Sequence, residues 1–379
     1  MEFRDIKSLT WPARHVDRRL LTELDHGDWR DISSALVRTM SDEVIDRAIL
    51  SLPPEILPVS GYELGEMLKS RRDQLPDAVD SYYSLLARQV DVVGSNKHER
   101  VEVERLAGGN VRVRMFKRNR AGVVYRDAPL YEREFVRKET REICIYGLDG
   151  EDVFLVGGAA RKSIPVRIIG GPGPDRITDS SSVDGPGKHT FIYDTENTPL
   201  LPGPESRDLR SDNPDINLYD RKAFKYNTYL PKPLIYYSSD DGFVGSFGLT
   251  WTRHGFRKEE FRSSHDFSLR AGTSGNVQLG TQHLWKEVLG NWDAGIDVHY
   301  GHYYPYYNFF GPGNATVKDA DLFDSDYYRV YLKGLISAVY AENEIFNKGV
   351  FRLGLLYENM DSRAETDSLF IGSEERIIG

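Results

Sequence analysis

Two glycine-rich segments carry the side chains best suited to chemistry. Gly170-Gly171-Pro172-Gly173-Pro174-Asp175-Arg176-Ile177-Thr178 fits the nonapeptide Gly-Gly-x-Gly-x-Asp-x-apolar-x. In such a segment carboxylate and carbonyl oxygens surround a hard cation, and glycine permits the tight turn. Gly147-Leu148-Asp149-Gly150-Glu151-Asp152-Val153-Phe154-Leu155 fits half of the same pattern. Asp152 and Asp175 are therefore the candidate ligands for calcium, which is the one cofactor these residues suggest. In a calcium β-roll the copies recur every nine residues, whereas these segments begin at Gly147 and Gly170. A second reading thus stays open, that of two glycine-rich turns between strands whose aspartates bond the backbone.

Other catalytic or metal-binding patterns are absent from the sequence. His299 and His302 are three apart, so on a regular strand they face opposite sides and cannot share a metal. Gly157-Gly158-Ala159-Ala160-Arg161-Lys162-Ser163 approaches a phosphate loop, but Arg161 stands where the glycine before the lysine belongs. No Gly-x-Ser-x-Gly elbow and no His-Glu-x-x-His helix occurs. Cys144 is the single cysteine, which excludes an intrachain disulfide and a multi-cysteine metal site. No catalytic residue is expected within this chain.

The elements that must position these residues fall into successive regions. Residues 1–93 read as helical: Asp28 is placed to cap a helix carrying Trp29, Ile32, Leu36 and Val37, and Ser41 to cap the next. Pro53-Pro54 ends that second helix, Ser60-Gly61-Tyr62-Glu63 has the form of a capping box, and Pro76 breaks or kinks the helix it opens. Residues 94–193 change to a period of two and read as a small β module. Within it Val101, Val103, Val111 and Val113 form a hairpin around Gly108-Gly109-Asn110. Residues 194–232, rich in Pro, Asp and Asn, read as a linker. Residues 233–379 carry longer alternating strands, the most regular placing Trp292, Ala294, Ile296, Val298 and Tyr300 opposite Asp293, Gly295, Asp297, His299 and Gly301. The fold class expected is α+β, mainly β.

Length and charge narrow the class. At 379 residues the chain has room for more than one domain, and 49 Lys+Arg against 58 Asp+Glu gives a net charge of -9. Sequence-independent binding to nucleic acid is therefore not expected. The alternating strands are long enough to cross a bilayer at a tilt, and tyrosines concentrate near their ends, as at a membrane–water interface. Alternation alone does not separate a soluble sandwich, whose apolar faces meet in a core, from a barrel, whose apolar face meets lipid.

Asp240-Asp241-Gly242-Phe243, Gly255-Phe256-Arg257-Lys258 and Asn308-Phe309-Phe310-Gly311-Pro312-Gly313-Asn314-Ala315-Thr316, in that order, resemble the barrel of the bacterial surface antigen family, the BamA/TamA-like outer-membrane proteins. The resemblance covers about Pro231 to Gly379. Upstream, Trp11-Pro12-Ala13-Arg14, Val90-Asp91-Val92-Val93-Gly94 and Tyr146-Gly147-Leu148-Asp149-Gly150-Glu151-Asp152-Val153-Phe154 look like the segment before such barrels in large multidomain members, some of which carry a metallophosphoesterase-like domain further upstream.

The resemblance implies an incomplete antiparallel transmembrane β-barrel in the outer membrane, with the amino-terminal region periplasmic. Outer-membrane lipid and client outer-membrane or exported proteins are the partners it implies, and insertion or export of those clients is the task. Asp293, Asp297 and His299 would line the lumen. Family barrels have about 16 strands and only six or seven are legible here, and Met1–Lys7 lacks the apolar core of a secretory signal. The chain is thus expected to be a fragment. Two alternatives remain: the anchor of an envelope metallophosphoesterase whose catalytic domain lies outside this chain, and a soluble calcium-assisted β-rich binding module.

Overall fold

The computed structural model describes residues 5–125, 128–239, 241–258, 260–310, 317–325, 327–345 and 349–364. The architecture is α+β, in two compact units, Met1–Ala223 and Phe224–Gly379.

Unit 1 opens with helices α1 (Ile6–Thr10), α2 (Arg14–Leu20), α3 (His26–Thr39), α4 (Asp42–Leu50), α5 (Tyr62–Asp73) and α6 (Leu75–Ala87). Ser41 caps α4 as expected, accepting from the Val44 amide. The cap of α3 is Asp25 rather than Asp28. Asp28 instead closes a reciprocal box, its amide donating to Asp25 Oδ1 at 3.0 Å while its own carboxylate accepts from the Asp25 amide at 2.9 Å. Two otherwise orphaned N–H groups are satisfied that way, so the helix begins a turn earlier. The Ser60 capping box does not form, because Leu57–Gly61 is a wide π turn that runs straight into α5 with no side-chain cap. Pro76 falls in the first turn of α6, where a missing N–H breaks no intrahelical bond, and so begins a new helix.

Strands β1 (Gln89–Val93), β2 (Glu99–Arg105), β3 (Val111–Lys117), β4 (Tyr131–Phe135), β5 (Glu142–Tyr146), β6 (Val153–Ala160), β7 (Val166–Ile169), β8 (Arg176–Asp179), β9 (Ser182–Val183), β10 (Thr190–Tyr193), β11 (Leu200–Leu201) and β12 (Ser206–Asp208) follow. They build two sheets, ordered β1-β5-β7-β10-β12 and β11-β8-β6-β2-β3-β4, with β9 beside β6. β2 and β3 form the hairpin legible in the sequence, Val103 opposite Val113. Elsewhere the pairing is parallel apart from β3 with β4, and the chain passes alternately from one sheet to the other, winding as a coil. Equivalent residues of successive coils therefore stack, Val92 on Ile145 on Ile168 on Ile192, all buried in one core. The proline-rich stretch after Asp194 supplies β11 and β12 to the ends of these sheets.

Unit 2 is a single antiparallel sheet of seven strands in sequence order: β13 (Thr228–Ser238), β14 (Gly242–Arg253), β15 (Ser263–Gly272), β16 (Val277–Leu289), β17 (Trp292–Asn308), β18 (Arg329–Ile345) and β19 (Gly349–Ala364). A short helix, α7 (Ala320–Asp324), lies between β17 and β18. Each strand pairs only with its sequence neighbours among the described residues, so the sheet is open, with β13 and β19 at its edges. Of the sequence motifs, Asp240 and Gly311–Thr316 lie outside the described residues.

Candidate functional site

Gly147 and Gly170 occupy equivalent places in successive coils: Tyr146 pairs with Ile169, and the Gly147 amide donates to the Ile169 carbonyl at 2.9 Å. Their separation in sequence is one turn of the coil. The glycines serve this stacking. Gly171 has a φ of +112°, which side chains rarely adopt, and a Cβ there or on Gly173 would collide with the backbone of Leu148 or Gly150 in the preceding coil.

The same stacking brings Asp152 and Asp175 together. Asp175 Oδ1 accepts from the Asp152 amide at 2.8 Å, and Asp152 Oδ1 accepts from the Glu99 amide at 2.7 Å, each carboxylate tying its coil to the preceding one. Asp194, one coil further on, accepts from the Thr195 amide at 2.6 Å, and its carboxylate lies with that of Asp175 where a side chain on Gly170 would project. Asp152 and Asp175 are 1 % and 2 % exposed, and the second oxygen of each has no hydrogen-bond partner. Burial pushes both carboxyl groups up to about 8, with the charges of neighbouring acids adding to it. Burial also raises Asp194, to about 6, against hydrogen bonds from Thr195 and Thr198 that favour its charged form and hold the rise down. Buried Glu99, whose carboxylate accepts from Ser95, is raised too. The aspartates bond the backbone, as in the second of the two sequence readings. Among the described residues no group of three or more His, Cys, Asp or Glu side chains is placed to hold a metal ion.

In unit 2 the register defines two faces. On one, Phe247, Leu269, Leu279, Tyr300 and Leu335 form a row across five strands, and Trp251, His265, His283, Ile296 and Val339 form another. Val298 and Tyr300 border a shallow apolar surface with Phe247, Phe267 and Leu279. This face is uncovered: Phe247 is 48 %, Leu279 49 %, Val339 57 % and Leu355 82 % exposed. Asp297 and His299 lie in register on the other face, Asp297 between Gln282 and Ala338 and His299 between Gly280 and Ile336. Asp293 on that face is held by Lys286 Nζ at 2.8 Å and by the Glu287 amide at 2.8 Å.

The apolar face ends in aromatic residues. Tyr237 meets Phe243 at one end with ring centroids 5.3 Å apart, while Tyr229 stacks on Trp251 at 5.8 Å at the other. Beside Trp251, His265 Nδ1 and His283 Nδ1 approach to 2.9 Å, with Ser263 and Thr281 hydroxyls on their far nitrogens. This pair was not anticipated from the sequence, because the two residues are 18 apart and only the register sets them side by side. The acidic column was missed in part for a different reason. Asp194 and Glu99 match no motif: the five-residue interval from Gly147 to Asp152 and from Gly170 to Asp175 does not end on Asp194, which has His189 five residues before it, and from Gly94 it ends on a Glu rather than an Asp. No protein-family model, curated protein or solved structure matches the chain.

Proposed function

We propose that unit 2 is part of an outer-membrane β-barrel of the surface antigen class, a non-enzymatic protein that assists insertion or export of client proteins, with unit 1 in the periplasm. The observation that supports it most is the uncovered apolar face. In a soluble sandwich that face would be packed against a second sheet, whereas in a barrel lipid covers it. Strand lengths agree, running from 10 residues in β15 to 17 in β17 and β18 against roughly 9 to 11 for a spanning strand. The aromatic rows at Phe243 and Trp251 are separated along β14 by about 26 Å at roughly 3.3 Å per residue, which at the tilt of barrel strands is about 20 Å of height, somewhat less than an apolar band of about 25 Å. Unpaired backbone is costly in hydrocarbon, so this reading requires partner strands for both β13 and β19. The task with clients rests on the family resemblance alone.

Trp251, Trp285 and Trp292 lie in unit 2, and Trp11 and Trp29 in unit 1. In protein reconstituted into vesicles, brominated acyl chains should quench fluorescence from the first three and leave the other two unaffected. Equal quenching of both sets, or a chain that is monomeric in water without detergent, would refute the membrane reading. Accelerated folding of a client β-barrel protein into the same vesicles is the outcome expected for the insertion task.

A further inference from the structure

Six exposed cations stand along one side of unit 1: Arg88, Arg137, Lys138, Arg141, Arg161 and Lys162. They come from places where the chain enters the first sheet, before β1, between β4 and β5, and between β6 and β7. The coil stacks these places. The Arg141 amide donates to the Arg88 carbonyl at 2.8 Å, and a Cβ on Gly109 would lie 2.8 Å from the Lys162 carbonyl oxygen and 2.9 Å from Arg137 Cδ. At the root of the same turns, the buried Arg105 guanidinium holds Ser163 Oγ and the Ile164 carbonyl.

None of the six side chains has an ion pair or hydrogen bond among the described residues. Two nearby carboxylates are engaged elsewhere: Glu134 with Arg112 at 3.2 Å, Glu139 with the Tyr83 hydroxyl at 2.7 Å. Exposed Asp184 follows β9, where its amide meets the Ala160 carbonyl. In a chain of net charge -9 such a ridge runs against the composition. Like charges within a Debye length, roughly 8 Å at physiological salt, repel one another, and a polyanion relieves that repulsion.

We propose that this ridge binds the anionic headgroups of a phospholipid surface. The cations project from exposed turns rather than surrounding a cavity, which suits phosphates spread over a plane better than a single small anion. Residues 106–110, 136–141 and 161–165 contain no aromatic side chain, so nucleobases have nothing to stack on. The choice of lipid over another polyanion rests on the reading of unit 2 as a membrane barrel; the ridge itself does not.

The test compares the full chain with a variant carrying Arg137→Gln, Lys138→Gln, Arg161→Gln and Lys162→Gln, using vesicles of phosphatidylcholine alone or with phosphatidylglycerol. Binding to neutral vesicles reports on the apolar sheet, and the increment on adding phosphatidylglycerol reports on the ridge. At about a fivefold effect per cation, the variant should lose on the order of a hundredfold or more of that increment, keep its neutral binding and keep its melting temperature. The parent increment should also fall steeply with salt. An increment equal in parent and variant, or none in the parent, overturns the proposal. So does binding to polyglutamate that depends on the four cations when binding to phosphatidylglycerol does not.

Discussion

Arg105 is 2 % exposed, yet its guanidinium is fully engaged: Ser163 Oγ at 2.8 Å, Ser181 Oγ at 3.1 Å, Thr190 Oγ1 at 2.8 Å, and the carbonyls of Ile164 and His189 at 3.0 and 2.9 Å. Removing it leaves those buried groups unpaired. Arg105→Leu should therefore lower the stability of unit 1 by about 3 to 5 kcal/mol, measured by chemical denaturation. The aspartate column predicts a pH dependence of definite sign. Asp152 and Asp175 hold their protons in the folded chain up to about 8, whereas an unfolded aspartate releases its proton near roughly 4. The folded state binds more protons in that interval, so stability falls as pH rises from about 4 to about 8, on the order of 1 kcal/mol per pH unit for each group, and levels off above. Asp175→Asn keeps the oxygen that accepts from the Asp152 amide and removes the charge. The fall in melting temperature between pH 5 and pH 8 should be shallower in that variant; a melting temperature that rises with pH in the parent contradicts the account. A calcium-dependent rise in melting temperature at pH 8, absent in Asp175→Asn, is what the calcium reading requires.

At the scale of elements, the exposed edge of β1 needs protection, because an unpaired parallel strand offers its backbone to other chains. Helix α2 supplies it. Arg18 donates to the Gln89 carbonyl at 2.6 Å and Arg19 to the Val93 carbonyl at 3.1 Å, occupying acceptors that another strand would otherwise find. Arg18 and Arg19 both lie in the last turn of α2, where cations also suit the helix dipole. Arg18→Ala should cost about 1 to 3 kcal/mol and raise self-association, read by denaturation and by sedimentation at increasing concentration. Unchanged stability would mean that α2 does not cap the coil. In unit 2 a different device fits two interior strands together: Tyr340 on β18 lies over Gly295 on β17, whose missing side chain makes room for the ring.

For the whole molecule, the facing of the seven strands decides between lipid and water. Val298 is on the apolar face and His299 on the other. Once the protein is folded in vesicles, Val298→Arg should destabilise it by about 2 to 4 kcal/mol at mid-membrane depth, and His299→Arg should be tolerated. Equal tolerance of both in a urea titration would reverse or abolish the assigned facing. Two edge strands and an uncovered apolar face also mean that unit 2 should aggregate in water unless detergent or lipid covers it.

Local features are legible in the chain: the helical amino-terminal region, the Ser41 cap, the Val103–Val113 hairpin, and the alternation that sorts Val298 from His299. Each is written in residues close together, through helix periodicity, turn chemistry or the two-residue period of a strand. Long-range pairing, by contrast, makes the β module a coil of largely parallel strands, sets Gly147 and Gly170 one turn apart on it, and places Asp152, Asp175 and Asp194 in neighbouring coils. The same pairing brings His265 to His283 and gathers the six cations of the ridge. Those relations join residues distant in sequence through parallel pairing and register, which depend on how the core stacks Val92, Ile145, Ile168 and Ile192. A period of two reveals that a strand has an apolar side, but the partner of that strand is fixed by burial in three dimensions.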